Sequence, residues 1–117
     1  MGRLIRFMYG CEISYLADID RTVVFPHKGL GVVVGDEAVI GPGCRILQNV
    51  TIGGRSGMPG GPVLGRDVLV GAGACLLGAI TIGDGAIIGA NAVVLADVPA
   101  GHTAVGVPAR LIAPTHA

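Results

Sequence analysis

The 117-residue chain holds few side chains able to do chemistry at neutral pH. They are three histidines, His27, His102 and His116, and three cysteines, Cys11, Cys44 and Cys75. A histidine titrates near neutrality and so can take or give a proton. His102 lies near the C-terminal end and His116 in the tail. His27 stands instead in Pro26-His27-Lys28-Gly29-Leu30-Gly31, a stretch that interrupts an otherwise regular pattern. That interruption makes it the candidate functional histidine. The cysteines are odd in number, widely spaced and set in apolar runs, with no Cys-x-x-Cys pair. They read as reduced, buried, small apolar residues of a cytoplasmic protein.

His27 must be positioned by a repeat. Counting in sixes gives Val34, Ile40, Ile46 and Ile52, then Leu64, Val70, Leu76, Ile82, Ile88 and Val94, all aliphatic. Glycine usually follows, at Gly35, Gly41, Gly53, Gly65, Gly71, Gly83 and Gly89. The fourth residue after each is small or apolar: Ala38, Cys44, Val50, Val68, Ala74, Ile80, Ala86, Ala92 and Val98. Six residues make one short strand and one corner. Three such units close a coil, and coils stack at about the ordinary strand spacing of 4.8 Å. The composition agrees. With no tryptophan, two Phe and two Tyr, the interior must be narrow enough for aliphatics to fill. Glycine at every sixth position would ruin an amphipathic helix, and no period-two alternation supports a sandwich. The expected fold is all-β: a single-stranded parallel β-helix over residues 12–112, a cap segment at 1–11 and a tail at 113–117.

Two breaks disturb the count. Ile13, Ile19 and Phe25 keep the spacing, but the next inward residue, Val34, comes nine residues later instead of six. Ile52 and Leu64 are twelve apart, with Gly54 to Pro62 between them. Both are loops pushed out of a rigid scaffold, where function tends to sit. They leave different corners of the prism and can meet only across a subunit boundary. The first ten residues are expected to cap the open edge of the first coil as a short helix or irregular segment. Gly106 to Ile112 is expected to form a last strand before Pro114.

Positive and negative side chains balance, and no basic block points to nucleic acid. No apolar run reaches the length of a membrane span. The N-terminus is too short and too interrupted for a secretory signal, and Arg6 stands where a myristoylation signal wants Ser or Thr. A neutral, glycine-rich prism of this size has flat faces, which a closed homotrimer would cover.

Several runs carry a narrower resemblance. They are Phe25-Pro-His-Lys-Gly-Leu-Gly-Val-Val-Val-Gly, Ile46-Leu-Gln-Asn-Val-Thr-Ile-Gly-Gly, Gly71-Ala-Gly-Ala, Gly89-Ala-Asn-Ala-Val-Val and Gly106-Val-Pro-Ala-Arg. From Cys11 to Ile112 the chain resembles the serine acetyltransferase branch of the hexapeptide-repeat acyltransferases. The resemblance implies a left-handed coil, against the usual right-handed crossover. It implies acetyl-CoA as co-substrate and no metal. His27 matches the histidine that takes the proton of an acceptor hydroxyl, and Glu12 matches the acidic residue that orients it. Gly54, Gly71, Ala72, Gly89 and Ala90 match the positions that bind CoA between subunits, with Arg110 as a phosphate partner. Glycines between Gln48 and Gly54 are candidates for an oxyanion donor.

The chain also departs from that branch. No counterpart of the branch's helical N-terminal domain is expected within these 117 residues. Pro26 replaces an acidic residue, the place of a second histidine falls near Gly61, and the tail ends in Ala117 instead of isoleucine. The acceptor is therefore expected to be a small hydroxyl compound, either a serine-like amino acid or a sugar. Two other readings compete. A zinc hydratase on this fold needs three converging histidines, and only His27 lies in the middle coils. A non-catalytic scaffold solenoid needs neither the extruded loops nor His27.

Overall fold

The computed structural model describes residues 10–115. Residues 1–9 of the expected cap segment and His116 lie outside them. The order of strands is β1 (Glu12–Ile13), β2 (Asp18–Ile19), β3 (Val33–Val34), β4 (Val39–Ile40), β5 (Arg45–Ile46), β6 (Thr51–Gly53), β7 (Val63–Leu64), β8 (Leu69–Val70), β9 (Cys75–Leu77), β10 (Thr81–Ile82), β11 (Ile87–Ile88), β12 (Val93–Val94), β13 (Thr103–Val105) and β14 (Arg110–Ile112). They stack into three faces of a prism. The first face is β1-β3-β6-β9-β12, the second β2-β4-β7-β10, and the third β5-β8-β11-β13-β14. All pairs are parallel except β13 with β14, which runs antiparallel and turns the chain back on the third face.

The interior follows the six-residue count. The ten aliphatics from Val34 to Val94 are buried, and so are all nine residues of the second inward register. In register, Val34 lies beside Ile52, Ile52 beside Leu76, and Leu76 beside Val94. Each coil therefore buries its aliphatics against the coils above and below. Ile13, Ile19 and Phe25 of the first coil are only half-buried. The cysteines divide. Cys11 and Cys44 point inward and are buried, and burial pushes both thiols up. Cys75 lies on the outer side of β9 and is half-buried, so it is not a core residue as expected. The reason is position: Cys75 precedes the inward Leu76 in the strand, and neighbouring strand residues face opposite ways.

Corners set the closing geometry. Two of the three turn through left-handed backbone, at the third residue after the inward residue except at Gly31, where the first break delays it. Between the second and third faces these are Gly43, Asp67, Gly85 and Gly101; between the third and first they are Gly31, Asn49, Gly73 and Asn91. Asn and Asp are the side-chain-bearing residues that best accept that conformation. Coils lie too close for two side chains to stack there. A Cβ on Gly43 would collide with the Asp67 carboxylate, and one on Gly31 with the Asn49 amide. Below Gly43, its N–H donates to Thr22 Oγ1 at 2.8 Å. The Thr22 hydroxyl and N–H both donate to Asp20, holding its carboxyl below the usual carboxylate range. A lowered value means that this corner supports the fold at neutral pH and loses that support as the pH falls through it.

Gly43→Ala is expected to lose about 1–3 kcal/mol, from left-handed strain plus the collision. Adding Asp67→Gly removes the collision. The double variant should therefore lose less than the sum of the singles in urea unfolding.

Candidate active site

The corner between the third and first faces carries most of the candidate residues. Its tips in successive coils are Leu30, Gln48, Ala72 and Ala90. Backbone bonds lock them into one column: Asn49 N–H to Leu30 O at 2.9 Å, Gly73 N–H to Gln48 O at 3.0 Å, and Asn91 N–H to Ala72 O at 2.9 Å. His27 stands at the foot of this column. The extra residues of the first break form a 3₁₀ turn, Pro26–Gly29, packed on β5. Proline at its start fixes one backbone angle. His27 and Lys28 are then both left-handed, at φ 59° and 58°. Two consecutive residues with side chains in that region store strain, of a kind that clusters at functional sites. The turn is pinned by Leu30 N–H to His27 O at 3.2 Å and by Gly31 N–H to Gly10 O at 2.8 Å. Its effect is to push the imidazole out of the coil. The ring is exposed and makes no hydrogen bond or ion pair with the described residues.

Glu12 lies in β1, opposite Val33 of the strand that follows the His27 turn. The two elements therefore share the base of the same corner. A recess of about 260 Å³ lies there, lined by Gly10, Cys11, Glu12, Gly31, Val32 and Val33. No hydrogen bond or ion pair joins the Glu12 carboxylate to the His27 ring.

Above Gln48 the column is stripped of side chains. Gly71 and Gly89 are glycine for reasons of stacking. A Cβ on Gly71 would press on Ala90 N at 2.7 Å and Ile88 O at 2.8 Å, and one on Gly89 would meet Val105 Cγ1 at 3.0 Å. Their N–H groups are committed to the coil, to Ile88 O and Ala104 O, both at 2.8 Å. Ala72 and Ala90 are the tips, and among the described residues nothing accepts their N–H groups. Arg110 pairs with Val105, which stacks on Gly89, so its main chain lies at the far end of the same column. One corner thus runs from His27 through Gln48, Ala72 and Ala90 to Arg110.

Gly54 stands elsewhere. It follows β6 at the corner between the first and second faces and opens the second loop. Gly53 and Gly54, candidates for an oxyanion donor, are therefore on the opposite edge of the first face from His27. Gly61, where the second histidine would fall, is buried. Its Cβ would lie 3.0–3.2 Å from the Glu37–Ala38 backbone, so a side chain there would be crowded against the coil below. Gln48 belongs to one of the runs that carry the resemblance, yet sequence alone gives it no role. Its signal is a long polar side chain at a tip where later coils carry alanine. Among the described residues no three His, Cys, Asp or Glu side chains gather as metal ligands do, and no helix is long and apolar enough to cross a membrane.

Comparison with known proteins gives one answer. The family described as "Bacterial transferase hexapeptide (six repeats)" matches residues 61–96, and "Hexapeptide repeat of succinyl-transferase" matches residues 44–77. A serine acetyltransferase of Synechocystis is 49% identical over 117 residues, which is 98% of this chain and 47% of the relative. The crystal structure of Neisseria gonorrhoeae serine acetyltransferase superposes with a TM-score of 0.92 at 37% identity, over 99% of this chain and 45% of that one. A serine acetyltransferase solved in complex with CoA gives a TM-score of 0.88 at 41% identity, over 95% of this chain and 46% of that one. The chain spans about half the length of these relatives. The match extends over the whole coil, whose sense is left-handed. The chain belongs to the hexapeptide-repeat acyltransferases, on the serine acetyltransferase-like branch.

Proposed function

We propose that this chain transfers an acetyl group from acetyl-CoA to the hydroxyl of a small acceptor, with His27 as the general base. One observation carries the reading. A strained turn presents the imidazole to solvent at the foot of a corner column whose far end is the strand that holds Arg110. A pantetheine arm can lie along that column, its close approach allowed by Gly71, Ala72, Gly89 and Ala90. The Ala72 and Ala90 N–H groups then have acceptors in the arm, and Arg110 meets a phosphate. The CoA complex of a relative supports this use of the fold.

The chemistry needs a base because an alcohol is a poor nucleophile at neutral pH. Neutral imidazole takes the proton as the acceptor oxygen bonds to the thioester carbonyl carbon. The tetrahedral intermediate collapses, the carbon–sulfur bond breaks, and the imidazolium returns the proton to the CoA thiolate. Glu12, at the base of the corner, orients the ring and stabilises the imidazolium. With glycine at position 61 and Pro26 before the base, the acceptor is a serine-like amino acid or a sugar.

His27 is exposed in one chain, and Gly54 lies at another corner. Both facts favour a site completed between subunits. The outer side of the third face carries exposed Val24, Leu69 and Ile87, apolar surface that a neighbour can cover. The working form is a homotrimer, with the second loop of one subunit over the His27 corner of the next. It acts in the cytoplasm, where Cys11 and Cys44 stay reduced.

His27→Ala should lower kcat roughly 10²–10⁴-fold in a thiol-release assay with serine, homoserine and sugars, while CoA binding persists. Full activity in the variant refutes the base. Absence of CoA binding by the wild-type chain would favour a scaffold. Ala90→Phe fills the column and should raise KM for acetyl-CoA at least tenfold, with little change in kcat. A fully active monomer in light scattering would exclude the intersubunit site.

A further inference from the structure

The turn that presents His27 also keeps a second side chain that the proposed chemistry leaves unused. Left-handed backbone runs through three residues in a row, His27, Lys28 and Gly29, at φ 59°, 58° and 70°. Gly29 is buried, while His27 and Lys28 are exposed. Every other left-handed position among the described residues is Gly, Asn or Asp, the types that accept that backbone most readily. The imidazole accounts for the strain at His27. Nothing in the fold accounts for it at Lys28, where glycine would relieve it. The Lys28 ammonium meets no carboxylate among the described residues, so no ion pair offsets the strain. It is also the only lysine among the eight Lys and Arg residues. A cation kept for solubility alone has no reason to occupy a strained place beside the base. Strain of this kind clusters where a group must be held for function.

We propose that Lys28 is a specificity-determining residue whose ammonium pairs with a carboxylate of the acceptor, so that the acceptor is a 3-hydroxy acid read by its carboxylate and not by an amine. The inference rests on the acetyl-transfer reading with His27 as base, and names its substrate class. Reach supports it. Consecutive Cα atoms stand about 3.8 Å apart, and lysine carries a compact point charge on a flexible stem. In a 3-hydroxy acid only two carbons separate the hydroxyl from the carboxyl group. A hydroxyl held at the imidazole therefore leaves its carboxylate within the span of the ammonium. Charge supports it as well. Pro26–Gly29 carries one fixed cation and no acid. Glu12, at the base of the corner, is engaged with the imidazole in the proposed chemistry. An ammonium on the acceptor finds no partner on this turn and meets Lys28 as a like charge. Of the acceptors open to His27, this keeps those with a carboxylate near the hydroxyl, sugar acids included, and makes the amine dispensable.

Four acceptors separate the two charges. Serine carries carboxylate and ammonium, glycerate the carboxylate alone, serinol the ammonium alone, and glycerol neither. In the thiol-release assay, kcat/KM for serine and glycerate should exceed that for serinol and glycerol at least tenfold, with glycerate no worse than serine. Lys28→Met should lower kcat/KM about tenfold for both acids, through KM, and less than twofold for both alcohols. Lys28→Arg should restore most of the preference. Lys28→Gly should show the same loss as Lys28→Met, yet unfold at no lower a urea concentration than the wild type, because the left-handed strain is gone. A preference for acids that survives in Lys28→Met overturns the proposal. So does an equal loss on all four acceptors, or a loss of stability in Lys28→Gly, since either marks a structural role. Serine favoured tenfold over glycerate overturns it too, because the amine is then read. Equal turnover of all four by the wild type, or turnover confined to neutral sugars, leaves acetyl transfer standing and overturns this proposal alone. If no acceptor is turned over and no CoA is bound, the acetyl-transfer reading falls and this proposal with it.

Discussion

Everything in this molecule depends on turning a chain through a left-handed corner at every coil while the coils stay in strand contact. Left-handed backbone is costly for most residues, and a spacing of about 4.8 Å leaves no room for a second side chain above the first. Glycine solves both problems but adds nothing to packing. Asn and Asp tolerate the backbone and can occupy alternate levels. That is the arrangement found, with Asn49 over Gly31, Asp67 over Gly43 and Asn91 over Gly73. The aliphatic interior then follows, because a corner placed every six residues leaves room for one inward aliphatic per strand.

The same constraint shapes the site. The tips of this column, Leu30, Gln48, Ala72 and Ala90, include no base. Chemistry therefore requires an irregularity, and the three extra residues before Val34 provide it. They let His27 and Lys28 adopt the corner conformation with both side chains exposed. The regular corners beyond keep the opposite virtue. They are smooth, because Gly71 and Gly89 are forced by their neighbours, and an extended arm needs smoothness. Base and groove are thus two outcomes of one rule, broken once and obeyed afterwards.

Much of this is legible in the order of residues alone. The period of six names the interior residue by residue, because an inward aliphatic has no other place to go. The breaks locate both loops, because a coil cannot absorb three extra residues. A further register is harder to see: Gly or Asn or Asp at the third position after the aliphatic, from Gly43 to Asn91. It looks like glycine noise, because the alternation lies between coils and not along the chain. Cys75 misleads for a related reason. An apolar residue beside an inward leucine looks interior until the strand's pleat is counted. The burial of Gln48 Oε1 and the crowding at Gly61 leave no trace in the sequence. Both depend on what lies one coil away, roughly eighteen to twenty-four residues along the chain.

The reversed strand β14 has a consequence for the life of the folded chain. A stack of parallel coils ends in open backbone, and a second molecule could add its first coil there and continue the prism as a filament. Such growth needs all three faces in parallel register at once. By laying Arg110–Ile112 antiparallel along β13, the chain spoils one face out of three. A solenoid whose repeat has no internal limit is in this way given a definite length.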